Sequence, residues 1–170
     1  MANINIDAFI HNVQDVARQY LFMLTLQAPT GLMGGSEQYL VQSSTVPPQT
    51  IDPIELNWQG NIVKYGSTHT WDDWTVTFKV DANAEIHRVM SNWQNLSVHN
   101  PETNWHGAPL DYMRHQRVRM LNGTTGGTIR EFQIKYAWPQ SVGEITLDHG
   151  AKETATFDVT FTYQYAVPLI

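Results

Sequence analysis

The sequence predicts a mainly β domain, a β-sandwich or partial barrel of seven or eight strands with one α-helix packed on it. Residues 154–165 and 74–80 alternate between polar and apolar side chains, the period of a half-buried strand. Residues 83–97 instead carry apolar side chains at three- and four-residue spacing, the period of an amphipathic helix. With 170 residues and no internal repeat, the whole chain, 1–170, is expected to form a single domain.

The chain begins with a predicted helix followed by two strands. Apolar residues recur at helical spacing over 4–17, so residues 1–17 are expected to form a short helical arm that packs on the domain or on a neighbouring copy. Residues 19–28 are apolar on both faces, which is typical of a central strand covered on both sides. Residues 37–45 form the next predicted strand, which ends at Pro47 because proline cannot continue a ladder.

The middle of the chain predicts a hairpin, a strand and the internal helix. Residues 53–66 read as two strands around a turn at Gln59, Gly60 and Asn61. Residues 68–81 alternate again, with Trp74, Val76, Phe78 and Val80 on one face. In the predicted helix, Asp81 or Asn83 can cap the first turn, and the buried stripe is expected to contain Ile86, Val89, Met90, Trp93 and Leu96.

The last third begins with a segment, 98–128, that has no sustained period and is expected to be largely irregular, with a short strand around 115–121. Residues 130–139 predict a strand that aligns Phe132, Ile134, Tyr136 and Trp138 on one face. Residues 142–148 predict another strand, paired as a hairpin with the final strand across the turn at 149–152.

Composition excludes several classes of protein. The formal net charge of −6 argues against a sequence-independent nucleic-acid binder, which needs a basic surface to displace counterions. The chain has no cysteine, so it has no disulfide and no thiolate chemistry. We expect no signal peptide and no membrane anchor, because the N-terminus lacks a basic region before an apolar core and no apolar run is long enough to span a bilayer.

No pattern in the sequence predicts an enzyme or a cofactor. The nucleophile elbow and the phosphate-binding loop are both absent. His99, His106 and His115 invite a metal hypothesis, but their spacing is not that of a zinc module. We therefore expect no catalytic residue, no metal and no cofactor.

Residue types in the loops favour assembly instead. Trp58 lies beside a predicted turn and Trp105 lies in a predicted loop, and exposed tryptophan is enriched at protein interfaces. Arg114, Arg117 and Arg119 form a basic run that suits salt bridges to an acidic neighbouring subunit, with a solvated loop as the alternative.

Several segments together resemble the tail tube proteins of contractile-tailed bacteriophages. The strand "QYLFMLTL" comes first, and "VTFKVD" leads into the helix that carries Trp93. The segment "AWPQSVGEITLD" then leads into a final strand of alternating aromatic residues. The resemblance covers nearly the whole chain from about residue 18, and it implies a fold that also serves the tubes of type VI secretion and other contractile injection systems.

The resemblance implies a structural protein of the virion that assembles in the host cytoplasm. Six copies would form a ring whose strands close an inner β-barrel, and rings would stack into a hollow tube inside a contractile sheath. The implied partners are other copies of the chain, the tail sheath, baseplate and tail-terminator proteins, and the tape-measure protein and genomic DNA in the lumen. The tube would conduct the genome into the host.

Two sets of residues are candidates for contacts in such a tube. For the wall of the lumen we expect polar residues that share one strand face, with the outward face as the alternative: Gln38, Gln42, Glu55, Thr154, Thr156, Asp158, Thr160, Thr162 and Gln164. For contacts between rings or subunits we expect Gln59, Gly60, Asn61, Asp72, Asp73, Arg114, Arg117 and Arg119.

Three alternatives remain at this stage. The same fold would serve a tube initiator at the baseplate or the tube of a secretion-type injection system. Alternating strands rich in aromatic residues also permit a lipocalin-like binder of small molecules, with one closed barrel per chain.

Overall fold

A computed structural model describes residue 6 and residues 16–29, 40–100, 105–150 and 152–169 of the chain. The strands are β1 (Phe22–Thr25), β2 (Val41–Ser44), β3 (Gln49–Trp58), β4 (Asn61–Trp71), β5 (Trp74–Lys79), β6 (Val98–Asn100), β7 (Trp105–His106), β8 (Arg114–Leu121), β9 (Thr128–Val142), β10 (Thr156–Thr162) and β11 (Tyr165–Pro168). The helices are α1 (Glu85–Ser97) and the single turn α2 (Pro109–Tyr112). Nearly all of the predicted N-terminal helix, and Gln38, lie outside the described residues.

The predicted mainly β fold with one packed helix is confirmed. Seven strands form an antiparallel sheet in the order β1-β8-β9-β10-β5-β2, with β11 paired to β9 beside this path. The sheet does not close on itself, since β1 and β2 stand at its two ends. A separate two-stranded sheet, β3–β4, makes the predicted hairpin, and β6–β7 form a short ladder.

Strand β9 joins the two halves of the sheet through a bend at Tyr136. Residues up to Ala137 pair with β8 and β11, whereas Trp138–Val142 pair with β10. Tyr136 has a φ of 57°, and β9 carries the extra residue of a bulge here, because Lys135 and Tyr136 together lie opposite the single residue His115 of β8. The bend interrupts the alternation, so the prediction that Tyr136 aligns with Ile134 was wrong: Ile134 is fully buried and Tyr136 is exposed.

The core forms between α1 and the apolar face of the neighbouring strands. Phe157, Val159 and Phe161 of β10 pair with Phe78, Val76 and Trp74 of β5, and all six side chains are buried. The Trp93 ring of α1 packs edge-on against Phe161, with 5.8 Å between the ring centroids. The sequence therefore correctly predicted the alternation of β5 and β10. It also correctly predicted the apolar residues on the buried face of α1, except that Leu96 is only half-buried.

The start of α1 is held by Asp81, as the sequence predicted. Its carboxylate accepts hydrogen bonds from the backbone amides of Ile86 at 3.2 Å and Asn83 at 3.3 Å. Burial alone would raise the pKa of Asp81, but these and further backbone amides outweigh it and lower the pKa. In the described part of the chain, no helix is long and apolar enough to cross a membrane.

Two predictions about strands were wrong. Among the described strands β1 pairs only with β8, and Met23 on it is exposed, so β1 is not covered on both sides. Residues 143–148 form no strand, because β9 continues to Val142 and takes the place beside β10. The short strand expected around 115–121 is confirmed, because β8 covers Arg114–Leu121.

Candidate assembly surfaces

The β3–β4 hairpin projects from the domain as a ribbon with both faces open. Every residue from Gln49 to Thr70 is exposed. Gln59 and Gly60, at the two central positions of the turn, have φ values of 49° and 84°, which are those of a type I′ turn. This turn suits the twist of paired strands, so "QGN" closes the ribbon as the sequence predicted.

One face of the outer hairpin is apolar, and the other mixes polar side chains with the exposed Ile62, which pairs with Asn57. The cross-strand pairs Ile54–Tyr65 and Leu56–Val63 lie on the same face as Trp58, which is 68% exposed. We call these five residues the hairpin apolar face. On the opposite face, Lys64 and Glu55 form an ion pair of 2.8 Å.

Exposed apolar residues clustered on a free ribbon are unusual for a protein that stays monomeric. A two-stranded ribbon is marginally stable in water by itself, and a contiguous apolar patch marks an interaction surface. The hairpin apolar face is therefore a surface that another protein is expected to cover. The sequence showed the alternation of these residues, but a period of two does not tell an internal core from an interface.

A second surface is the polar face of β10, on the side of the sheet away from α1. Thr156, Thr160 and Thr162 are half-buried and Asp158 is exposed. Asp158 accepts a hydrogen bond of 2.6 Å from Thr77 of the neighbouring strand. With Thr75 and Ser141, which pair with Thr160, these residues form a threonine-rich surface that carries few charges.

The other residues predicted for the lumen wall do not join this surface as strand partners. Thr154 is exposed but precedes β10, and Gln164 lies in the bend that follows it. Glu55 lies on the separate hairpin, and Gln42 lies on the edge strand β2.

An open groove of about 820 Å³ lies between the two ends of the sheet. Its apolar lining comes from both edges and from the neighbouring strand β8: Phe22, Leu24, Val41, Val46, Val118 and Met120. Gln42 and Ser43 add polar groups to the same lining. The outer edges of β1 and β2 have no strand partner among the described residues, so the groove runs between two edges that can accept a further strand.

The three predicted contact arginines have partners within the chain. Arg117 and Arg119 both form ion pairs with the buried Glu131, at 3.4 Å and 3.3 Å. Arg114 donates to the carbonyl oxygen of Leu110 at 2.6 Å. All three side chains remain half-buried, and their cationic groups still outnumber the single carboxylate.

Among the described residues, no group of three or more His, Asp or Glu side chains could hold a metal ion. His115 instead accepts a hydrogen bond of 3.3 Å from the backbone amide of Tyr136 at the bend of β9. Burial, together with the positive charges of Lys135 and Arg114, lowers the pKa of His115.

Comparison with known proteins identifies the family. The model for phage tail tube proteins matches residues 33–167. The chain belongs to this family. The matched range contains the hairpin, the threonine-rich surface of β10 and strand β2 at one edge of the groove, so these features belong to the tail tube part of the chain.

Two kinds of relative accompany the family match. Tail tube protein gp19 of Enterobacteria phage T4 is 26% identical over 152 residues, which cover 89% of this chain and 91% of the relative. The fold is similar to that of a chain in the sheath/tube terminator of an extracellular contractile injection system, with a TM-score of 0.69, 14% identity and coverage of 93% and 99% of the two chains. It is also similar to that of the tube terminating cap of the anti-feeding prophage, with a TM-score of 0.66, 19% identity and 92% coverage of each chain.

Proposed function

We propose that this tail tube protein is the subunit of a hollow tube made of stacked hexameric rings. The observation that carries the proposal is the hairpin apolar face, which lies open on a ribbon that no other described part of the chain covers. Contact with other copies would bury this face. The turn at Gln59, Gly60 and Asn61 then meets the adjacent ring.

The arrangement of surfaces supports head-to-tail association. The hairpin and the groove between β1 and β2 are different surfaces of one chain, so a contact that uses both is heterologous. A heterologous contact closes into a ring when its rotation divides a full turn, and otherwise continues as a filament. Neighbouring copies would extend the sheet at β1 and β2 and so close the inner barrel that a single chain leaves open.

We propose that the threonine-rich surface of β10 lines the lumen. Hydroxyl groups are well hydrated but carry no positive charge, so they lack the cations that hold phosphate groups. Asp158, the exposed acid at the middle of this surface, repels phosphate. Genomic DNA and the tape-measure protein would pass along such a wall without being bound.

The remaining proposed partners are the other proteins of a tail that contains such a tube. We propose contacts with the tail sheath, the baseplate and the tail-terminator protein, in a virion assembled in the host cytoplasm. Arg114, Arg117 and Arg119 face acidic groups of a neighbouring subunit in this proposal, and Asp72 and Asp73 lie at contacts between copies. The proposed role is structural and includes no catalytic step.

Electron microscopy of the purified protein at increasing concentration tests the proposal. Six-fold rings that stack into tubes with a continuous central channel are expected. Particles that remain single chains at high concentration would contradict it, and so would a closed barrel within one chain.

A further inference from the structure

The orientation of the β3–β4 hairpin is set where it joins the domain. Because all residues from Gln49 to Thr70 are exposed, contacts further out do not fix its angle. The strands of the ribbon span about 30 Å, so a rotation of about 10° at the root moves the tip by about 5 Å. That displacement exceeds the contact distance between packed side chains, which is about 4 Å.

On the exit side of the hairpin, two contacts hold the chain to β10 and the residue after it. The Trp71 ring packs against Tyr163, with 6.2 Å between the ring centroids. Asp73, two residues after Trp71, accepts a hydrogen bond of 3.0 Å from the hydroxyl of Thr162. These contacts act at the last residue of β4 and in the connection to β5.

Thr162 is in turn tied to the helix side of the domain. Its hydroxyl also bonds to the side-chain amide of Gln140 in β9, and the backbone oxygen of Gln140 accepts a hydrogen bond of 2.8 Å from Gln94 of α1. A hydroxyl donates only one proton, and the Asp73 carboxylate requires it. Thr162 therefore accepts a hydrogen bond from Gln140 when the side-chain NH₂ group of Gln140 faces Thr162.

On the entry side, the buried indole of Trp74 holds the chain before β3. Its Nε1–H is shared between the hydroxyl of Ser44, at 3.1 Å, and the carbonyl oxygen of Thr45, at 2.9 Å. Trp74 is fully buried, so this anchor belongs to the rigid core. The exit-side contact of Asp73 is exposed and therefore more easily broken.

We propose that Asp73, Thr162 and Gln140 are positioning residues that hold the hairpin at the angle needed for contact with the neighbouring copy. The inference rests on the proposed function, because the angle matters only if the hairpin apolar face meets another chain. Loss of the hydrogen bond between Asp73 and Thr162 leaves only the ring contact of Trp71 with Tyr163 on the exit side, while the Trp74 anchor stays. The hairpin then samples a range of angles.

The angle can be measured in the single chain, before assembly. Spin labels placed by Asn57→Cys near the hairpin tip and Asn92→Cys on α1 report one distance, because the chain contains no other cysteine. The labelled chain is compared with the same chain carrying Asp73→Ala or Thr162→Val, each of which removes the hydrogen bond between the two side chains. The matched control is Thr160→Val, which removes a half-buried hydroxyl from the same face of β10 but no hydrogen bond to the hairpin root.

Both Asp73→Ala and Thr162→Val are expected to broaden the distance distribution about twofold, or to shift its centre by about 5 Å, while Thr160→Val leaves it unchanged. Asp73 is exposed, so Asp73→Ala keeps the fold even if Thr162→Val does not. An unchanged distribution in Asp73→Ala, whether or not tubes form, overturns the positioning role. A broadened distribution in a protein that never forms tubes would support the positioning and contradict the proposed function.

Discussion

The backbone amide of Gly143 donates a hydrogen bond of 2.7 Å to the carbonyl oxygen of Asp158. This contact continues the pairing of β9 and β10 one step beyond Val142, where β9 ends. A Cβ atom at position 143 would lie 2.8 Å from the same oxygen, closer than real Cβ atoms approach. Glycine at this position therefore lets the chain leave the sheet tightly against β10.

Gly143→Ala is expected to lower the free energy of unfolding by about 1–3 kcal/mol, because the added methyl group forces the two backbones apart. Urea denaturation of the single chain measures the change. Gly150→Ala is the control, since its Cβ would meet only the Asp148 carboxylate at an ordinary distance of 3.5 Å. Equal stability of the two variants would contradict the close approach of Gly143 to Asp158.

Tyr163 has a buried hydroxyl group with no hydrogen-bond partner among the described residues. Burial, with the nearby carboxylates of Asp72 and Asp73, raises the pKa of Tyr163 from 10.0 to about 12. The folded protein then keeps this proton at a pH where the unfolded chain loses it. Stability is therefore expected to fall as the pH rises from about 10 to about 12.

Tyr163→Phe removes the unpaired hydroxyl, so we expect the free energy of unfolding at neutral pH to rise by about 1 kcal/mol. The variant should also lose less stability than the wild-type chain between pH 10 and pH 12. Tyr65→Phe, which changes an exposed tyrosine, is the control. An alkaline loss of stability that is the same in the wild type and in Tyr163→Phe would show that another group causes it.

Asp81 stabilises the first turn of α1 in its ionised form. Asp81→Ala is expected to cost about 1 kcal/mol at neutral pH, through loss of the hydrogen bonds to the backbone amides. The folded pKa lies below the ordinary value of 3.8, so this contribution is present above about pH 4 and is lost as the pH falls through the folded pKa. The difference in thermal stability between Asp81→Ala and the wild type should therefore shrink in acid. Glu144→Ala, which changes an exposed carboxylate in the loop after β9, should give no such difference at either pH.

Reversal of the charge on the threonine-rich surface tests whether this surface lines the lumen. Asp158→Lys is expected to leave tubes intact but to make them retain DNA at low salt, since a ring of lysines would face the channel. Retention measured at rising salt should fall steeply. Glu153→Lys, in the loop before β10, is the control. If Asp158→Lys instead weakens attachment of the sheath without any effect on DNA, the surface faces outward.

The sequence correctly predicted those strands and helices whose hydrophobic pattern lies within one continuous segment. Trp74, Val76 and Phe78 alternate with threonine and lysine and are buried as expected, and the stripe of α1 was placed almost completely. The pairing of residues 142–148 with the last strand failed, because an alternating pattern does not say which of two neighbouring segments takes the place beside β10. Strand β9 pairs with β10 instead, because it continues through Pro139 to Val142.

The candidate surfaces were only partly visible in the sequence. The turn at Gln59 and Gly60 and the polar face of β10 follow from turn chemistry and from a period of two. The exposure of Ile54, Leu56 and Trp58 does not, since apolar alternation is the same for a strand that packs inside its own chain. The hydrogen bond between Asp73 and Thr162 joins residues 89 positions apart, a distance over which no sequence pattern acts.

The central claim is that the hairpin apolar face joins copies of the chain. Sedimentation of Leu56→Asp beside Asn57→Asp tests it most directly, because the two substitutions add the same charge to neighbouring residues on opposite faces of β3. We expect Asn57→Asp to sediment as tubes and Leu56→Asp to remain a folded single chain with unchanged thermal stability. Tubes formed equally well by both variants would contradict the claim.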